Sequence, residues 1–465
     1  MDGVWSWADH RVIRNSGDPL IFAVDDASLF SLSREAHATL CRWRSSTDIE
    51  LDKIPLPDQE VLRGLCDAHI LLPRSQEKRA LPRIQAGEVP LSTLVLEVAQ
   101  DCNLRCSYCY AEAGTYGAAP CLLDPATARR AVRYLLDNSG EEEHLTLIFF
   151  GGEPLLNMPA ITTATREAIS YGEKIGKKVH FSLTTNGTLL DPEIIKFLHA
   201  NHVSVAVSMD GPPHIHDRNR PDQKGMGTYG EIVPRLAMLL EESPVPVAAR
   251  VTLEPDQWPS LVEVFDHLTG LGFHEVGIAP VSPVSKDLLP TAPQETALLQ
   301  GFGQLAERCI AHARQGRVMP FSNILDLLGR IHLGQTKPVS CGAGLGYMAV
   351  DAKGDFFPCH RLAGEADFSA GSLATGIDAG KINTCLDSLN NGRPDSCSKC
   401  WARTLCAGGC HYENHLRENQ LGLPRGTSCK FIRGWLELGI RTYAELRTDG
   451  AIEAMGCRLE GRAQC

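Results

Sequence analysis

The chain has no apolar run long enough to cross a bilayer, and no excess of basic residues to draw it to nucleic acid or an anionic membrane. Its 45 lysines and arginines face 56 aspartates and glutamates, a net charge of -11, so neither partner is expected. The opening residues, Met1 to Asp9, lack both the basic and the apolar stretch of a signal peptide, and a cytoplasmic location is expected. Cysteine is what it has in abundance. Seventeen in a reducing compartment point to metal or catalysis rather than to disulfides, and most fall in two short segments. At 465 residues the chain exceeds a single core, so two or three domains are expected.

Residues 20–75 read as a small mixed unit: a strand over 20–24, a helix from Ala36 to Trp43, a second helix from Asp58 to Ala68 and a strand over 70–72. The pattern resembles the winged-helix peptide-binding element at the front of many peptide-modifying enzymes; an N-terminal cap without a ligand fits it as well. Residues 75–90, with Lys78, Arg79, Pro82 and Arg83, read as a linker. From about 92 to 283 strands and helices then alternate, with strands at 93–98, 145–150, 179–183, 203–207, 247–253 and 275–280. Helices open at Asp124-Pro125, Met158-Pro159, Asp191-Pro192, Gly230 and Trp258-Pro259, where a cap residue accepts a backbone donor and proline loses nothing at the first helical position. Six such units in series predict an α/β fold with a parallel sheet, a partial (β/α)6 barrel whose chemistry sits at the carboxyl ends of the strands.

The polar loops fall at those ends. Cys102, Cys106 and Cys109 follow the first strand, with Tyr108 before the last of them. Three thiolates at this spacing suit three irons of a four-iron cluster, leaving one iron open to a small-molecule chelator; a zinc knuckle short of a ligand is the alternative. After the second strand comes Gly151-Gly152-Glu153-Pro154, after the third Thr184-Thr185-Asn186-Gly187, and after the fourth Ser208-Met209-Asp210-Gly211. In order and after successive strands, these loops resemble the radical S-adenosylmethionine (SAM) enzymes. The resemblance implies that Cys102, Cys106 and Cys109 hold a reducible [4Fe-4S] cluster beside Tyr108 and that Gly151, Gly152, Glu153 and Pro154 contact the SAM amino group. It also implies that Ser208 and Arg220 bind the SAM carboxylate, and that Thr185 or Asn186 reaches the ribose. Asp210 is a candidate for catalysis or for bracing its loop, and His214 and His216 read as surface or packing residues.

A second set of cysteines begins beyond a helical stretch around Thr296 to Gln315: Cys341 and Cys359, then Cys397, Cys400, Cys406 and Cys410, then Cys429. A pair of structural zincs is compatible with part of this spacing. The whole spacing resembles the SPASM extension of radical SAM enzymes, a module with two auxiliary [4Fe-4S] clusters that usually accompanies peptide or protein substrates. The resemblance assigns Cys397, Cys400, Cys406 and Cys429 to one cluster and Cys341, Cys359 and Cys410 to the other. Three clusters in all are expected. Sulfatase-maturing relatives supply a fourth cysteine to the second set, whereas Gln335 to Pro338 holds none, so a substrate thiolate, Cys309 or a water is expected to complete it. His360 stands where those relatives carry an aspartate base. The string Phe357-Pro358-Cys359-His360-Arg361 and the run from Cys109 to Gly117 resemble enzymes that install cysteine thioethers in peptides, the type that matures quinohemoprotein amine dehydrogenase.

The expected organisation is an N-terminal peptide-recognition unit and linker (1–90), a radical SAM barrel (91–310) and a SPASM domain with a C-terminal helix (311–465). The expected activity joins a cysteine sulfur to a carbon of another residue, an Asp or Glu, in a small cysteine-containing peptide or protein. His360 is the candidate base, and an external flavodoxin- or ferredoxin-type donor supplies electrons. Alternatives are a sulfatase-type oxidation, a carbon–carbon crosslink, or a zinc-stabilised binding protein. Of the seven remaining cysteines, Cys41, Cys66, Cys121, Cys309, Cys385, Cys457 and Cys465, most read as ordinary buried small residues, with Cys121 set apart by its place near the first cluster loop.

Overall fold

The computed structural model describes residues 3–14, 18–75, 85–241, 243–282, 289–337, 339–424 and 426–459. Residues 76–84 of the expected linker, and Cys465, lie outside the described residues. The central feature is a sheet whose strands are β1 (Thr93–Gln100), β2 (His144–Gly151), β3 (Lys178–Thr185), β4 (Ser204–Ser208), β5 (Ala248–Leu253) and β6 (Glu275–Pro280). Each is parallel to its neighbour, and their spatial order follows the chain, as right-handed strand–helix–strand units require. Two further strands, β7 (Tyr347–Val350) and β8 (Phe356–Phe357), extend the sheet on the β1 side, β7 parallel to β1 and β8 antiparallel to β7. The sheet thereby bridges the expected boundary at 310/311. Sequence periodicity missed this pairing because β7 is four residues long and its partner lies some 250 residues away.

The helices are α1 (Pro125–Asp137), α2 (Met158–Lys174), α3 (Pro192–Ala200), α4 (Pro213–Asn219), α5 (Tyr229–Leu240), α6 (Leu261–Gly270), α7 (Ala292–Ala313), α8 (Ser322–His332), α9 (Ala379–Asn391) and α10 (Gly426–Thr448). The cap residues act as their chemistry dictates. Asp124 accepts from the Thr127 amide at 3.1 Å and Asp191 from Ile194 at 2.8 Å, each ahead of a proline at the first helical position. Along β1, Leu94, Leu96 and Val98 face the helical layer and join a core with Ala128, Val132 and Leu135 of α1. On the opposite face Val95 packs inside the barrel with Ala349, Phe357 and Ala363. Glu97 shares that inward face by the two-residue period of a strand.

The N-terminal unit folds as two small antiparallel sheets, Val4–Trp7 between Ile49–Glu50 and Leu71–Pro73, and His10–Ile13 with Leu20–Ala23 and Ser28–Ser31. Helices Arg34–Trp43 and Leu56–Asp67 complete it. It rests on the cysteine-rich segment: Arg403 pairs with Asp9 at 3.0 Å and with Asp25, Thr404 donates to the Val24 carbonyl at 2.7 Å, and Phe22 meets Trp401 edge-on.

One buried side chain ties β1 to both helices that follow. Asn157 donates from Nδ2 to the carbonyls of Val98 (2.7 Å) and Leu123 (2.9 Å), and its Oδ1 caps α2 at Ala160. Asn157→Ala strands the buried Leu123 carbonyl and the Ala160 amide and takes one of two donors from the Val98 carbonyl, which keeps the Leu123 amide at 3.0 Å, and is expected to cost about 1–3 kcal/mol, read as a lowered urea midpoint.

Candidate functional site

The cysteine loop is held from three sides. On the first, Gly152 and Glu153 donate their amides to the carbonyls of Ala99 (2.8 Å) and Asp101 (2.9 Å). A Cβ on Gly152 would lie 2.2 Å from the Asp101 oxygen and one on Gly114 2.5 Å from the Gly152 Cα, so the two glycine turns press backbone on backbone. Their amides therefore serve the loop itself, leaving carbonyls as the groups of this turn suited to an ammonium. On the second side, Arg105 and Ser107 donate their amides to the carbonyls of Pro221 (2.8 Å) and Asn219 (2.9 Å). On the third, Asn103 donates to Thr188 at 2.8 Å and Asn186 donates to Asn103 at 2.9 Å, with Nδ2 3.9 Å from Cys102 Sγ. The register of β1 on β2 shifts between Glu97 and Ala99, just before the loop, a bulge of the kind that re-aims a strand end at a site.

Two buried carboxylates organise the remaining turns. Glu153 accepts from Thr185 Oγ1 (2.7 Å) and from the amides of Leu155 (3.1 Å) and Asn186 (2.7 Å); burial pushes its carboxyl up to about 7 against those donors. Asp210 accepts from the Tyr108 hydroxyl (2.6 Å), the Thr252 amide (2.9 Å), Asn219 (3.3 Å) and both Nε and Nη2 of Arg220 (3.0 and 3.2 Å). With both oxygens filled, Asp210 is a brace rather than a base. Arg220 also lies 5.3 Å from the Tyr108 ring centroid, so its guanidinium is fixed from two directions beside the cysteine loop. Ser208 ends β4 opposite Arg250, and Pro154 opens a buried turn that leads into α2.

Beneath Arg220 lies His216. It is fully buried, accepts from the Asp210 amide at Nδ1 (3.3 Å) and reaches Thr228 Oγ1 at 3.1 Å, while the Thr228 hydroxyl donates to the Arg220 carbonyl (2.8 Å). This fixes a proton on Nε2.

The cysteines gather into three sets of neighbouring thiols. Cys102 is near Cys106 and Cys109, and Cys359 is near Cys341 and Cys410; Cys397 is near Cys400, Cys406 and Cys429. Burial pushes Cys102 and Cys359 up to about 12 and Cys106 and Cys397 up to about 11. Buried thiols crowded in this way need a bound cation to become thiolates, which is the donor chemistry of a metal group. Among the described residues no three His, Cys, Asp or Glu side chains converge on a single ion.

The set of Cys341, Cys359 and Cys410 lines a cavity of about 30 Å³ whose wall also contains Cys385, His411 and Tyr412. Cys385, read from the sequence as an ordinary small residue, thus shares this wall. Cys309, considered as a further ligand, lies instead in the apolar core of α7 and is not part of it. His360 packs on Phe150 (4.6 Å between centroids) and shares a 2.5 Å hydrogen bond at Nδ1 with the Tyr347 hydroxyl; burial holds it neutral, lowered to about 3.

Two residues here escaped the sequence reading. Glu97 is fully buried inside the barrel with neither carboxyl oxygen in a well-formed hydrogen bond; burial first, then Asp351, raises it well above the usual range, and the nearby Tyr116 opposes this. Its signal was a lone acid in the apolar run Leu94 to Val98. Arg361 sits between the rings of Tyr110 and Tyr412, 4.7 and 4.5 Å from their centroids.

The buried His216 sets a pH dependence. Its folded-state pKa is lowered to about 4 by burial and the Arg220 charge, from 6.5. The unfolded chain takes up the proton first as pH falls, so stability drops between about pH 6.5 and 4, by up to roughly 3 kcal/mol. His216→Gln is expected to flatten that part of a stability–pH curve measured by urea unfolding.

Comparison with known proteins agrees with this geometry. The Radical SAM superfamily model matches residues 96–255, which span β1 through β5. The chain is 26% identical over 346 residues to the cysteine-type anaerobic sulfatase-maturating enzyme of Clostridium perfringens, covering 69% of this chain and 89% of that protein. It is 23% identical over 353 residues to the serine-type anaerobic sulfatase-maturating enzyme of Klebsiella aerogenes, covering 72% of this chain and 83% of that one. Among solved structures, anSMEcpe with bound AdoMet superposes with a TM-score of 0.67 at 21% identity, over 79% of this chain and 98% of that chain. Residues 96–255 thus match the Radical SAM superfamily model, within a chain that shares its fold with anSMEcpe.

Proposed function

We propose that the chain is a radical SAM enzyme that modifies a peptide or small protein, forming a thioether between a cysteine sulfur and a carbon of another residue, an Asp or Glu. The type is that which matures the small subunit of quinohemoprotein amine dehydrogenase. The observation that supports it is the pairing of two incomplete thiol sets, Cys102, Cys106 and Cys109 at the strand ends and Cys341, Cys359 and Cys410 across the barrel interior, with a four-thiol set beside them. When bound, a reducible iron–sulfur cluster and SAM together supply a carbon-centred radical able to take a hydrogen atom from an unactivated carbon.

The chain's residues divide the remaining work. Carbonyls of the Gly151–Pro154 turn receive the SAM ammonium, Arg220 and Ser208 its carboxylate, and Thr185 and Asn186 the ribose, all on turns locked by Glu153 and Asp210. His360, tethered by Tyr347, is the base proposed for the substrate thiol; burial disfavours its charged form, so it takes that proton only as the thiolate's negative charge develops beside it. The fourth place at that set goes to the substrate sulfur, with Cys385 as the in-chain competitor. The N-terminal unit holds a leader region of the peptide, a role supported by its contact with the cysteine-rich segment through Arg403 and Thr404. A flavodoxin- or ferredoxin-type protein delivers electrons in the cytoplasm.

A second reading, a sulfatase-type oxidation of a side chain, is favoured by the likeness to the cysteine-type and serine-type anaerobic sulfatase-maturating enzymes. Product mass and thiol alkylation together separate the two. The partner to test is a small cysteine- and acid-rich protein encoded beside this chain, co-expressed with it. A thioether lowers its mass by two hydrogens and leaves the sulfur unreactive to alkylation; oxidation of a serine to an aldehyde loses the same two hydrogens but leaves every thiol alkylatable, and oxidation of a cysteine to an aldehyde loses the sulfur.

Anaerobic reconstitution is expected to give brown protein with about twelve irons per chain that cleaves SAM after reduction. Cys102→Ala, Cys106→Ala or Cys109→Ala should abolish that cleavage, and Cys359→Ala should retain it while losing the crosslink. Colourless protein with stoichiometric zinc would instead support a binding protein, and crosslinking by Cys359→Ala at the parent rate would exclude the sulfur-holding role.

A further inference from the structure

Arg361 stands between two of the thiol sets and touches both neighbourhoods. Its amide donates to Cys359 Sγ at 3.4 Å, and its guanidinium Nη1 lies 3.8 Å from Cys410 Sγ. The guanidinium is clamped between Tyr110, which follows Cys109 in the first loop, and Tyr412, two residues after Cys410; those rings meet at 5.7 Å and 64°. Glu413 is its carboxylate neighbour at 3.6 Å, and its Nε, buried, makes no hydrogen bond. The contact thus joins the barrel-mouth loop, the β8 turn and the helix His411–Glu418 through one cation.

A guanidinium stays charged at every working pH, and with water largely excluded its field on the neighbouring sulfurs is weakly screened. Each ring face adds a cation–π attraction of about 0.5–2 kcal/mol, which holds the charge in place. We propose that Arg361 is a positioning residue that sets the reduction potential of the metal group held by Cys341, Cys359 and Cys410, and fixes that group against the Cys109–Tyr110 loop. This rests on the reading that these thiols hold an auxiliary iron–sulfur cluster. A positive charge and sulfur-directed N–H groups stabilise the more negative, reduced form, so they raise the potential. Lys337, near Cys341 and Cys406 and donating to the Ser340 carbonyl at 3.1 Å, is a second cation beside the same thiols.

The test is an EPR-monitored redox titration of the anaerobically reconstituted full-length chain, following the signal that disappears in Cys359→Ala. Arg361→Gln removes the charge and is expected to lower that potential by at least a tenfold change in the oxidised-to-reduced ratio, 59 mV for one electron. Arg361→Lys keeps the charge without the flat stack and is expected to fall between Arg361→Gln and the parent. Arg314→Gln, an exposed arginine paired with Glu445 and Asp449, serves as the control and should leave the potential unchanged. If Arg361→Gln loses iron while Arg361→Lys keeps it, the charge is needed to hold the group and the proposal stands. A full iron content with an unshifted potential in Arg361→Gln overturns it, as does loss of iron from both variants, which would make the residue a structural brace. If Cys359→Ala removes neither iron nor signal, the underlying cluster reading fails instead.

Discussion

Backbone pressed against backbone at the ends of β1 and β2 is the constraint on which the site depends. Gly151 and Gly152 lie so close to Ala99 and Asp101 that no side chain fits at either position, and Gly114 returns the cysteine loop onto the same spot. The loop carrying Cys102, Cys106 and Cys109 therefore starts from a fixed point and returns to it. Once that point is set, the amides of Arg105 and Ser107 reach the segment around Asn219, and Asn103 meets the turn after β3. Three turns that follow different strands thus share one rigid frame, which is what a site needs if its ligands are to stay within a fraction of an ångström of a working geometry.

Around that frame the buried charges do two kinds of work. Glu153 and Asp210 are saturated with donors and serve to lock turns; their cost of burial is offset by the hydrogen bonds they accept. Deeper in the barrel the balance differs. Glu97 has no well-formed hydrogen bond, and Arg361 is held chiefly by two ring faces and by sulfur, with Glu413 at 3.6 Å as its carboxylate neighbour. Polar groups left with capacity in a dry interior are the exception in folded proteins and tend to mark functional sites.

Much of this was legible in the chain itself. Alternating apolar runs located all six barrel strands within a residue or two, because buried parallel strands are nearly continuous apolar stretches bounded by turn residues. Asp124 and Asp191 marked helix starts by local chemistry alone, although α2 is capped by Asn157, one residue before the Met158-Pro159 pair. The spacing set the first three cysteines apart from the rest, while the division of the later seven into two sets came from the resemblance to the SPASM extension. What stayed hidden depends on contacts across long stretches of chain: the addition of β7 and β8 to the sheet, Cys385 in a cavity wall on α9, and Arg361 stacked between tyrosines some 250 and 50 residues away. Arg220 shows the same limit. Its charge suggested a carboxylate ligand, but its pairing with Asp210, which fixes the guanidinium in place, could not be read from the sequence.

The central claim is that the Cys102, Cys106 and Cys109 set holds a group with one open coordination site that SAM occupies. The most direct measurement is the EPR spectrum of the reduced, anaerobically reconstituted protein recorded with and without SAM. A change in g-values on adding SAM, absent from a Cys102→Ala, Cys106→Ala, Cys109→Ala variant that retains the auxiliary signals, is the predicted result. Identical spectra with and without SAM, in protein carrying its full iron, would contradict the account.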